Sequence, residues 1–308
     1  MSGKIILIQA PAKLNLGLRI LGRRPDGYHE IRSLMIRVSL YDKIRLREAS
    51  AGIKVDCDHR EVPGDEGNIA FRAARVFGEE FGPVRGLKIE IKKGIPVAAG
   101  LGGGSSDAAA VLLGLRRMFA PRLPLQELRK VSARIGADVP FFLFPGAARV
   151  AGVGERLSLY RGGLPPAFLL VNPGVKVSSQ WAYSEWDRDF WDKSERNGSG
   201  LELTEDDAGN NIKLGYRLRP RGVKDWDSQN INWEEILRND LETEVRRGYP
   251  VVREIKERLL ASGARGVGMS GSGPTFFGVF PNPTEASRAA RGLKKDPGWS
   301  VWVVKPVK

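Results

Sequence analysis

Cysteine and histidine are scarce in this sequence of 308 residues, which contains one cysteine and two histidines. The single cysteine, Cys57, cannot form a disulfide within the chain and fits a reducing compartment. With only His29 and His59 beside it, a metal centre built from cysteine and histidine is not expected. No apolar run approaches the ~18 residues of a membrane helix, and the first apolar run is too short for a signal peptide. These absences predict a cytoplasmic protein with no membrane partner.

Acidic residues are in the minority, since 49 lysines and arginines face 36 aspartates and glutamates, a formal net charge of +13. Such a charge can serve a nucleic acid, a membrane surface or a small anionic ligand. The basic residues occur in short scattered pairs, with the densest group at Arg217, Arg219 and Arg221, and none forms a long basic tail. The pattern therefore argues against nucleic acid as a partner, and it indicates no particular oligomeric state.

Glycine and serine are concentrated in residues 96–106, which read Pro-Val-Ala-Ala-Gly-Leu-Gly-Gly-Gly-Ser-Ser. Residues 87–92, before this stretch, alternate apolar and charged side chains as a half-buried strand does, and strong helix formers follow it. We expect Ser105, Ser106 or Asp107 to cap that helix. Because glycines let the backbone approach a ligand and a helix N-terminus offers free N–H groups, the order predicts a phosphate-binding loop. A plain turn is the alternative, and the stretch matches neither a Walker A loop nor a well-formed dinucleotide fingerprint.

Two polar positions elsewhere in the first half suit catalysis. Leucines at every second position in residues 14–18 put Lys13 and Asn15 on one face of a strand, where such side chains often face solvent. Asp138 follows a Gly-Ala turn and precedes an apolar run, which fits a turn or cap residue or a general base. Asn68 can cap a further helix.

Two loops have the composition of binding loops. The Pro-Asp-Gly turn at residues 25–27 brings Tyr28 and His29 into one loop, either as a hairpin tip or as a stacking platform with a hydrogen-bonding partner for a nucleobase. A second glycine loop is either a hairpin turn or a second backbone cradle lining a cleft between domains; it comprises Ser270, Gly271, Ser272 and Gly273.

The second half predicts the element order of a ferredoxin-like domain after a boundary at Pro165-Pro166. We expect strands at residues 167–172, 266–270, 275–280 and 300–304, and helices at residues 251–261 and 284–293. Residues 184–230 are polar but contain several tryptophans. We expect them to form an ordered insertion or lid, pinned by Trp186, Trp191 and Trp226.

Two glycine loops, a strand lysine and a turn aspartate together favour phosphoryl transfer, which depends on positioning and on positive charge around the reacting oxygens. The first loop would hold the ATP phosphates, and Ser105 or Ser106 could reach a Mg²⁺ ion. Asp138 would accept the proton of the attacking hydroxyl or chiefly orient that hydroxyl. Lys13 would keep Asp138 ionised and stabilise developing charge.

Residues 11–16, 96–106 and 269–273 resemble, in order, the three signature motifs of the GHMP kinase superfamily. The resemblance implies an α+β fold of two domains. Residues 1–164 would form a ribosomal-S5-domain-2-like ATP-binding domain, and residues 165–308 a ferredoxin-like domain with the tryptophan-rich insertion at about 184–230. It also implies ATP and Mg²⁺ as cofactors, and Lys13 and Asp138 as the catalytic pair.

Residues 24–29 and 136–140 resemble more narrowly those GHMP kinases that phosphorylate the 2-hydroxyl of a small molecule, a cytidine-diphosphate-linked methylerythritol, in isoprenoid biosynthesis. That resemblance implies that the acceptor is bound by Asn15, Tyr28, His29 and Tyr183, with aromatic rings stacking on the cytosine. It implies nucleotide contacts from the whole first loop and from two positions before it: Pro96, Val97, Ala98, Ala99, Gly100, Leu101, Gly102, Gly103, Gly104, Ser105, Ser106, Asn68 and Lys93.

Two alternatives remain at this stage. The first is another small-molecule GHMP kinase acting on mevalonate, homoserine or a sugar, for which the Tyr28-His29 turn would have no base to stack on. The second is a non-catalytic, basic RNA-binding protein on an S5-like fold. It would explain the charge of +13 but leave Asp138 and both glycine loops without a role.

Overall fold

The computed structural model describes residues 4–197 and 232–307. Its strands are β1 (Ile5–Arg23), β2 (His29–Glu48), β3 (Gly52–Cys57), β4 (Gly86–Lys92), β5 (Ala148–Ala151), β6 (Arg156–Leu159), β7 (Ala167–Asn172), β8 (Gly266–Met269), β9 (Phe276–Phe280), β10 (Ser300–Val304) and β11 (Pro306–Val307). Its helices are α1 (Ile69–Phe81), α2 (Gly103–Phe119), α3 (Leu125–Ser132), α4 (Val139–Phe142), α5 (Ser179–Asn197), α6 (Trp233–Ile236), α7 (Glu242–Gly248), α8 (Val251–Ala261) and α9 (Pro283–Leu293).

The first sheet has seven strands arranged around the long antiparallel pair β1–β2. Its main path runs β3-β4-β2-β5-β6, while β1 and the last strand, β11, also pair with β2. Helices α1 and α2 cover one face, where an aliphatic core includes Leu46, Ile89 and Val111. The other face of β1 packs through Leu14 and Leu16 into a second core shared with strands of the second sheet.

The second sheet is antiparallel and runs β10-β7-β9-β8. Between β7 and β10 the chain supplies helices before β8 and between β9 and β10, so the ferredoxin-like order predicted from the sequence is confirmed. The apolar faces of α8 and α9 pack on this sheet. A ferredoxin-like unit beside an S5-like unit is the predicted two-domain fold.

Two local expectations differ from the structure. Helix α2 begins at Gly103 behind Gly102, which adopts a left-handed conformation (φ 68°), so Ser105, Ser106 and Asp107 lie within the first turns of the helix and do not cap it. Glycine takes the cap position because it alone enters that conformation without strain. The sequence also predicts a helix over about residues 125–135 after Pro124, and helix α3 ends earlier, at Ser132.

The start of the predicted insertion is helical, because α5 runs from Ser179 through residue 197. Trp186 packs at the edge of the core between the second sheet and helices α8 and α9. The side chain of Trp191 and the whole of Trp226 lie outside the described residues. Within the described ranges, no helix has both the length and the apolar composition needed to cross a bilayer.

Candidate active site

Lys13 and Asp138, 125 positions apart in sequence, are brought together by the fold. The Lys13 Nζ lies 3.9 Å from Asp138 Oδ2. Strand β1 supplies the lysine, and the aspartate stands immediately before α4. Lys13 and Asn15 share the strand face opposite Leu14, as the alternation predicts, but they are buried and not solvent-facing. Lys13 also donates a hydrogen bond to the Asn15 side-chain oxygen.

Burial sets the electrostatics of this pair. It lowers the pKa of Lys13, and the negative charge of Asp138 raises that pKa in part. The Asp138 side chain keeps 35% of its surface exposed, so it is the accessible member of the pair. The arrangement therefore presents a carboxylate toward solvent with a buried ammonium behind it, which suits a reacting hydroxyl that approaches from outside.

The two glycine loops pack against each other beside Lys13. The Ser270 hydroxyl donates to the Gly100 carbonyl (3.0 Å), and the Asn15 N–H donates to the same hydroxyl oxygen (3.3 Å). A Cβ at Gly100 would lie 2.1 Å from the Ser270 carbonyl oxygen, and one at Gly271 would lie 2.9 Å from Lys13 Nζ. The close approach explains why glycine stands at both positions, and it makes the loops one continuous backbone surface.

The remaining residues of the first loop divide by burial. Ala99 and Leu101 are buried in the core between the sheets, and the Leu101 carbonyl accepts from the Lys13 N–H (2.9 Å). Ala98 is exposed and takes a left-handed conformation (φ 53°). The half-buried or exposed positions are Pro96, Val97, Gly102, Gly103 and Gly104. In the second loop, the Ser272 hydroxyl lies 2.8 Å from that of Ser179.

The serines at the start of α2 differ in their surroundings. Ser106 is buried, and its hydroxyl oxygen has no hydrogen-bond partner among the described residues. Ser105 is half-buried. No cluster of three or more histidine, cysteine, aspartate or glutamate side chains suited to a metal occurs in the described part of the chain. A divalent cation here would therefore rely on a hydroxyl and on ligands from the nucleotide.

A buried ionic triad lies behind the first loop; the sequence analysis named Lys93 as a binding residue, Asp107 only as a possible helix cap, and Asp42 not at all. Lys93 Nζ lies 2.5 Å from Asp42 Oδ2 and 2.9 Å from Asp107 Oδ2. The other Asp42 oxygen accepts from the N–H groups of Gly94 (2.7 Å) and Ile95 (2.9 Å), where the chain enters the loop. Burial and the neighbouring Asp42 raise the pKa of Asp107 to about 8, against the opposing effect of Lys93. The triad braces both ends of the loop.

Asn68 caps α1 as predicted, accepting from the Ala70 N–H (2.8 Å) and donating to the Pro63 carbonyl (2.7 Å). The Lys93 ammonium is paired with the carboxylates of Asp42 and Asp107. That Asn68 and Lys93 contact a nucleotide stays a prediction.

Tyr28, His29 and Tyr183 form an aromatic group, one member of which, Tyr183, feels the charge of Asp138. Tyr28 is 63% exposed, so its ring is free to stack. His29 stacks on Tyr183 with ring centroids 4.7 Å apart, and its Nε2 lies 2.7 Å from Asp187 Oδ1. Burial raises the pKa of the Tyr183 phenol, and the charge of Asp138 raises it further, so Tyr183 lies within electrostatic range of that carboxylate. One face of the Tyr183 ring is thus covered by His29. That Tyr183 stacks on the acceptor base stays a prediction.

Asp187 is a site residue that the sequence analysis missed. It lies one helical turn after Tyr183 on α5, a helix that the polar composition of this segment concealed. The spacing of Tyr183 and Asp187, four residues apart, is a signal that would have paired them once a helix was assumed.

The fold and the paired glycine loops define a GHMP kinase. The family model for the GHMP kinase N-terminal domain matches residues 68–146, and that for the C-terminal domain matches residues 224–297. Homoserine kinase from Cytophaga hutchinsonii shares the fold at 19% identity and a TM-score of 0.67, over 98% of this chain and 97% of the other. Mevalonate kinase from Methanococcus jannaschii shares it at 14% identity and a TM-score of 0.62, over 99% of each chain.

Relatives of higher identity narrow the assignment. The chain is 44% identical to 4-diphosphocytidyl-2-C-methyl-D-erythritol kinase of Syntrophotalea carbinolica, over 97% of this chain and 98% of the relative. It is 41% identical to the enzyme of that name from Geobacter metallireducens, over 98% and 99%. A crystal structure of 4-(cytidine 5'-diphospho)-2C-methyl-D-erythritol kinase matches with 33% identity and a TM-score of 0.72, over 97% and 99%. The chain belongs to the 4-diphosphocytidyl-2-C-methyl-D-erythritol kinase family.

Proposed function

We propose that this kinase transfers the γ-phosphoryl group of ATP to the 2-hydroxyl of 4-diphosphocytidyl-2-C-methyl-D-erythritol, a step in isoprenoid precursor synthesis. The observation that carries the site assignment is the Lys13–Asp138 pair, held where the two glycine loops meet. The single cysteine, Cys57, favours work in a reducing compartment such as the cytoplasm.

In this proposal Asp138 receives the 2-hydroxyl through a hydrogen bond and takes its proton as the phosphoryl group transfers. A loose transition state needs little early deprotonation, so orienting the hydroxyl is the larger part of this role. Lys13 keeps Asp138 ionised and stabilises negative charge on the transferring group. Backbone N–H groups of residues 97–106 hold the phosphates, which face the N-terminus of α2.

Magnesium fits the residues at the start of α2. A buried hydroxyl without a partner, that of Ser106, offers an oxygen ligand, and Ser105 offers a second nearby. Mg²⁺ takes few protein ligands and retains waters, which suits a site with no carboxylate cluster in the described residues. When bound, the ion neutralises charge on the phosphates of the nucleotide.

The aromatic group supports a cytidine acceptor. Tyr28 offers an open ring face, and the His29 edge offers a hydrogen-bonding nitrogen beside Tyr183, whose pKa the charge of Asp138 raises. Mevalonate, homoserine and galactose have no aromatic base to use either feature, so this loop favours the cytidine acceptor over those of other GHMP kinases. RNA binding would explain the charge of +13, but it leaves the buried Lys13 without a purpose.

The test measures ADP release with the cytidine acceptor against mevalonate, homoserine and galactose. We expect turnover only with the cytidine acceptor, and we expect Asp138→Asn to abolish it while ATP binding, measured by calorimetry, persists. Glu254→Gln, an exposed carboxylate on α8, is the matched control and should retain full activity. Turnover on only one of the other three acceptors would overturn the assignment. RNA binding that weakens steeply with salt, without ATP binding, would favour the non-catalytic alternative.

A further inference from the structure

We propose that Asp187 is a positioning residue which fixes the tautomer of His29, and that this tautomer makes the acceptor site select cytosine over uracil. The inference rests on the proposed function, because it concerns how that acceptor is chosen. It assigns to Asp187 a role in specificity without contact to the substrate.

The geometry holds His29 on three sides. Tyr183 covers one ring face at 4.7 Å between centroids, and Trp186 presents its ring edge-on at 5.8 Å. Asp187 Oδ1 lies 2.7 Å from Nε2 at the ring edge, and the His29 side chain is only 9% exposed. Arg23 Nη1 lies 3.8 Å from the other Asp187 oxygen. All three neighbours from α5 lie within two turns of one helix, so the imidazole is fixed in both plane and rotation.

The chemistry of the carboxylate decides which ring nitrogen carries hydrogen. A carboxylate only accepts hydrogen bonds, so Nε2 must donate to Asp187. A neutral imidazole has one N–H, and Nδ1 is therefore left as an acceptor. Flipping the ring by 180° would keep the stack on Tyr183 but place a carbon where Nε2 now meets Asp187, so it would break that hydrogen bond. The fold thus presents a fixed acceptor at the edge of the base site.

An acceptor distinguishes the two pyrimidines. Cytosine carries an amino donor at the position where uracil carries a carbonyl acceptor. Nδ1 of His29 can accept from the amino group, whereas it meets the uracil carbonyl as a second acceptor and leaves both unpaired. A site that leaves buried polar groups unpaired discriminates strongly against the wrong ligand.

Asp187→Asn tests the inference because an amide of nearly the same shape can either accept or donate. With the amide donating, His29 can carry its hydrogen on Nδ1 and bond the uracil carbonyl. We expect the ratio of kcat/KM for the cytidine acceptor to that for its uridine analogue to fall about 10-fold in Asp187→Asn, mainly through a lower KM for the uridine analogue. The KM for ATP should not change, and Asp187→Glu, which can only accept, should retain more of the selectivity than the amide.

A second readout does not depend on turnover. The chain has two histidines, so the ring ¹⁵N shifts of His29 can be assigned by comparison with His59→Gln. At mildly alkaline pH we expect the Nε2–H tautomer in the unsubstituted protein and a mixture in Asp187→Asn. An Nδ1–H tautomer in the unsubstituted protein would overturn the inference. So would unchanged selectivity in Asp187→Asn while the cytidine acceptor is phosphorylated, and in that case the proposed function stands. If the unsubstituted protein phosphorylated neither acceptor, both the inference and the proposed function would be overturned.

Discussion

Lys13 illustrates how a functional residue can work against stability. Its ammonium is buried, and burial lowers its pKa because a charge is costly away from water. Asp138 is partly exposed, so it remains hydrated when its partner is removed. We expect Lys13→Met to raise the free energy of unfolding by about 1 kcal/mol. The same change should lower kcat roughly 100-fold or more, because charge stabilisation of the transferring group is lost.

Urea unfolding and steady-state kinetics check this prediction. Because the folded state binds the Lys13 proton less tightly than the unfolded state does, the cost of burying the charge is full below the lowered pKa, shrinks as pH rises above it, and is gone above the ordinary lysine value of 10.5. The stability difference between Lys13→Met and the unsubstituted protein should therefore narrow at high pH. Lys43→Met, at an exposed position on β2, should change neither quantity. A less stable Lys13→Met protein would contradict the argument.

Asp107 makes the stability depend on pH. Its pKa is raised to about 8 by burial and by Asp42, so the folded state binds a proton that the unfolded state has released from about pH 4 upward. The free energy of unfolding should therefore fall as pH rises toward and through about 8, by at most about 1.4 kcal/mol per pH unit from this group. Asp107→Asn resembles the protonated form and should flatten that dependence, as measured by urea unfolding at pH values from about 5 to 9. An unchanged slope would show that Asp107 is ionised throughout.

Residue identity alone reveals charges but not their partners. The motifs point to Lys13 and Asp138, because each stands in a pattern of unusual composition. Asp42 follows a tyrosine inside an ordinary strand, and nothing local distinguishes it from an exposed aspartate. Its burial against Lys93 depends on how β2 and β4 are placed, which only the folded chain determines.

At the scale of elements, the contact between the glycine loops is the feature most sensitive to change. Gly100 has φ 73°, and a Cβ there would lie 2.1 Å from the Ser270 carbonyl oxygen. We expect Gly100→Ala to push the loops apart and to raise the KM for ATP at least ~10-fold, since displaced groups lose their catalytic geometry. Gly52→Ala is the matched control: its φ is 68°, and nothing lies within 4 Å of the added Cβ.

Gly52→Ala separates the effect of backbone strain from that of the collision between the two loops. Both substitutions carry the left-handed penalty of about 1–2 kcal/mol, so both should lower stability similarly from that source. Only Gly100→Ala should alter nucleotide binding, measured by titration calorimetry with ATP. Equal effects of the two variants on ATP affinity would mean that the loop contact has no part in binding.

Periodicity predicted the elements that bury one regular face. Helix α8 and strands β7 and β10 have the predicted bounds, because their apolar residues recur at the helix or strand period. Helix α5 was missed because its charged and aromatic residues do not follow one apolar stripe. The cap of α2 was wrong because consecutive glycines can start a helix in the left-handed region, where a serine side chain is not needed.

At the scale of the whole molecule, one turn of the second half holds strand β1 in place. The Asn239 amide donates to the carbonyls of Met269 (2.9 Å) and Gly271 (2.7 Å), at the second glycine loop. The next residue, Asp240, accepts from the Ile20 N–H (2.9 Å), and its own N–H donates to the Leu18 carbonyl (2.9 Å). Strand β1, which carries Lys13, is thereby tied to the loop it must face.

Removing this connection should loosen the two halves as well as the site. Asp240→Ala leaves the Ile20 N–H unpaired and removes the carboxylate 3.0 Å from the guanidinium of Arg238, so we expect a loss of about 2 kcal/mol in the free energy of unfolding.

All seven tryptophans lie at position 181 or later, so tryptophan fluorescence reports on the second half, whereas far-ultraviolet circular dichroism reports on both halves. The core shared between the sheets predicts coincident unfolding transitions for the unsubstituted protein. In Asp240→Ala the two transitions should separate and KM values should rise, whereas Glu254→Ala, which removes an exposed helix pair, should cost no more than about 0.5 kcal/mol. Coincident transitions in Asp240→Ala with unchanged KM values would show that the shared core alone couples the halves.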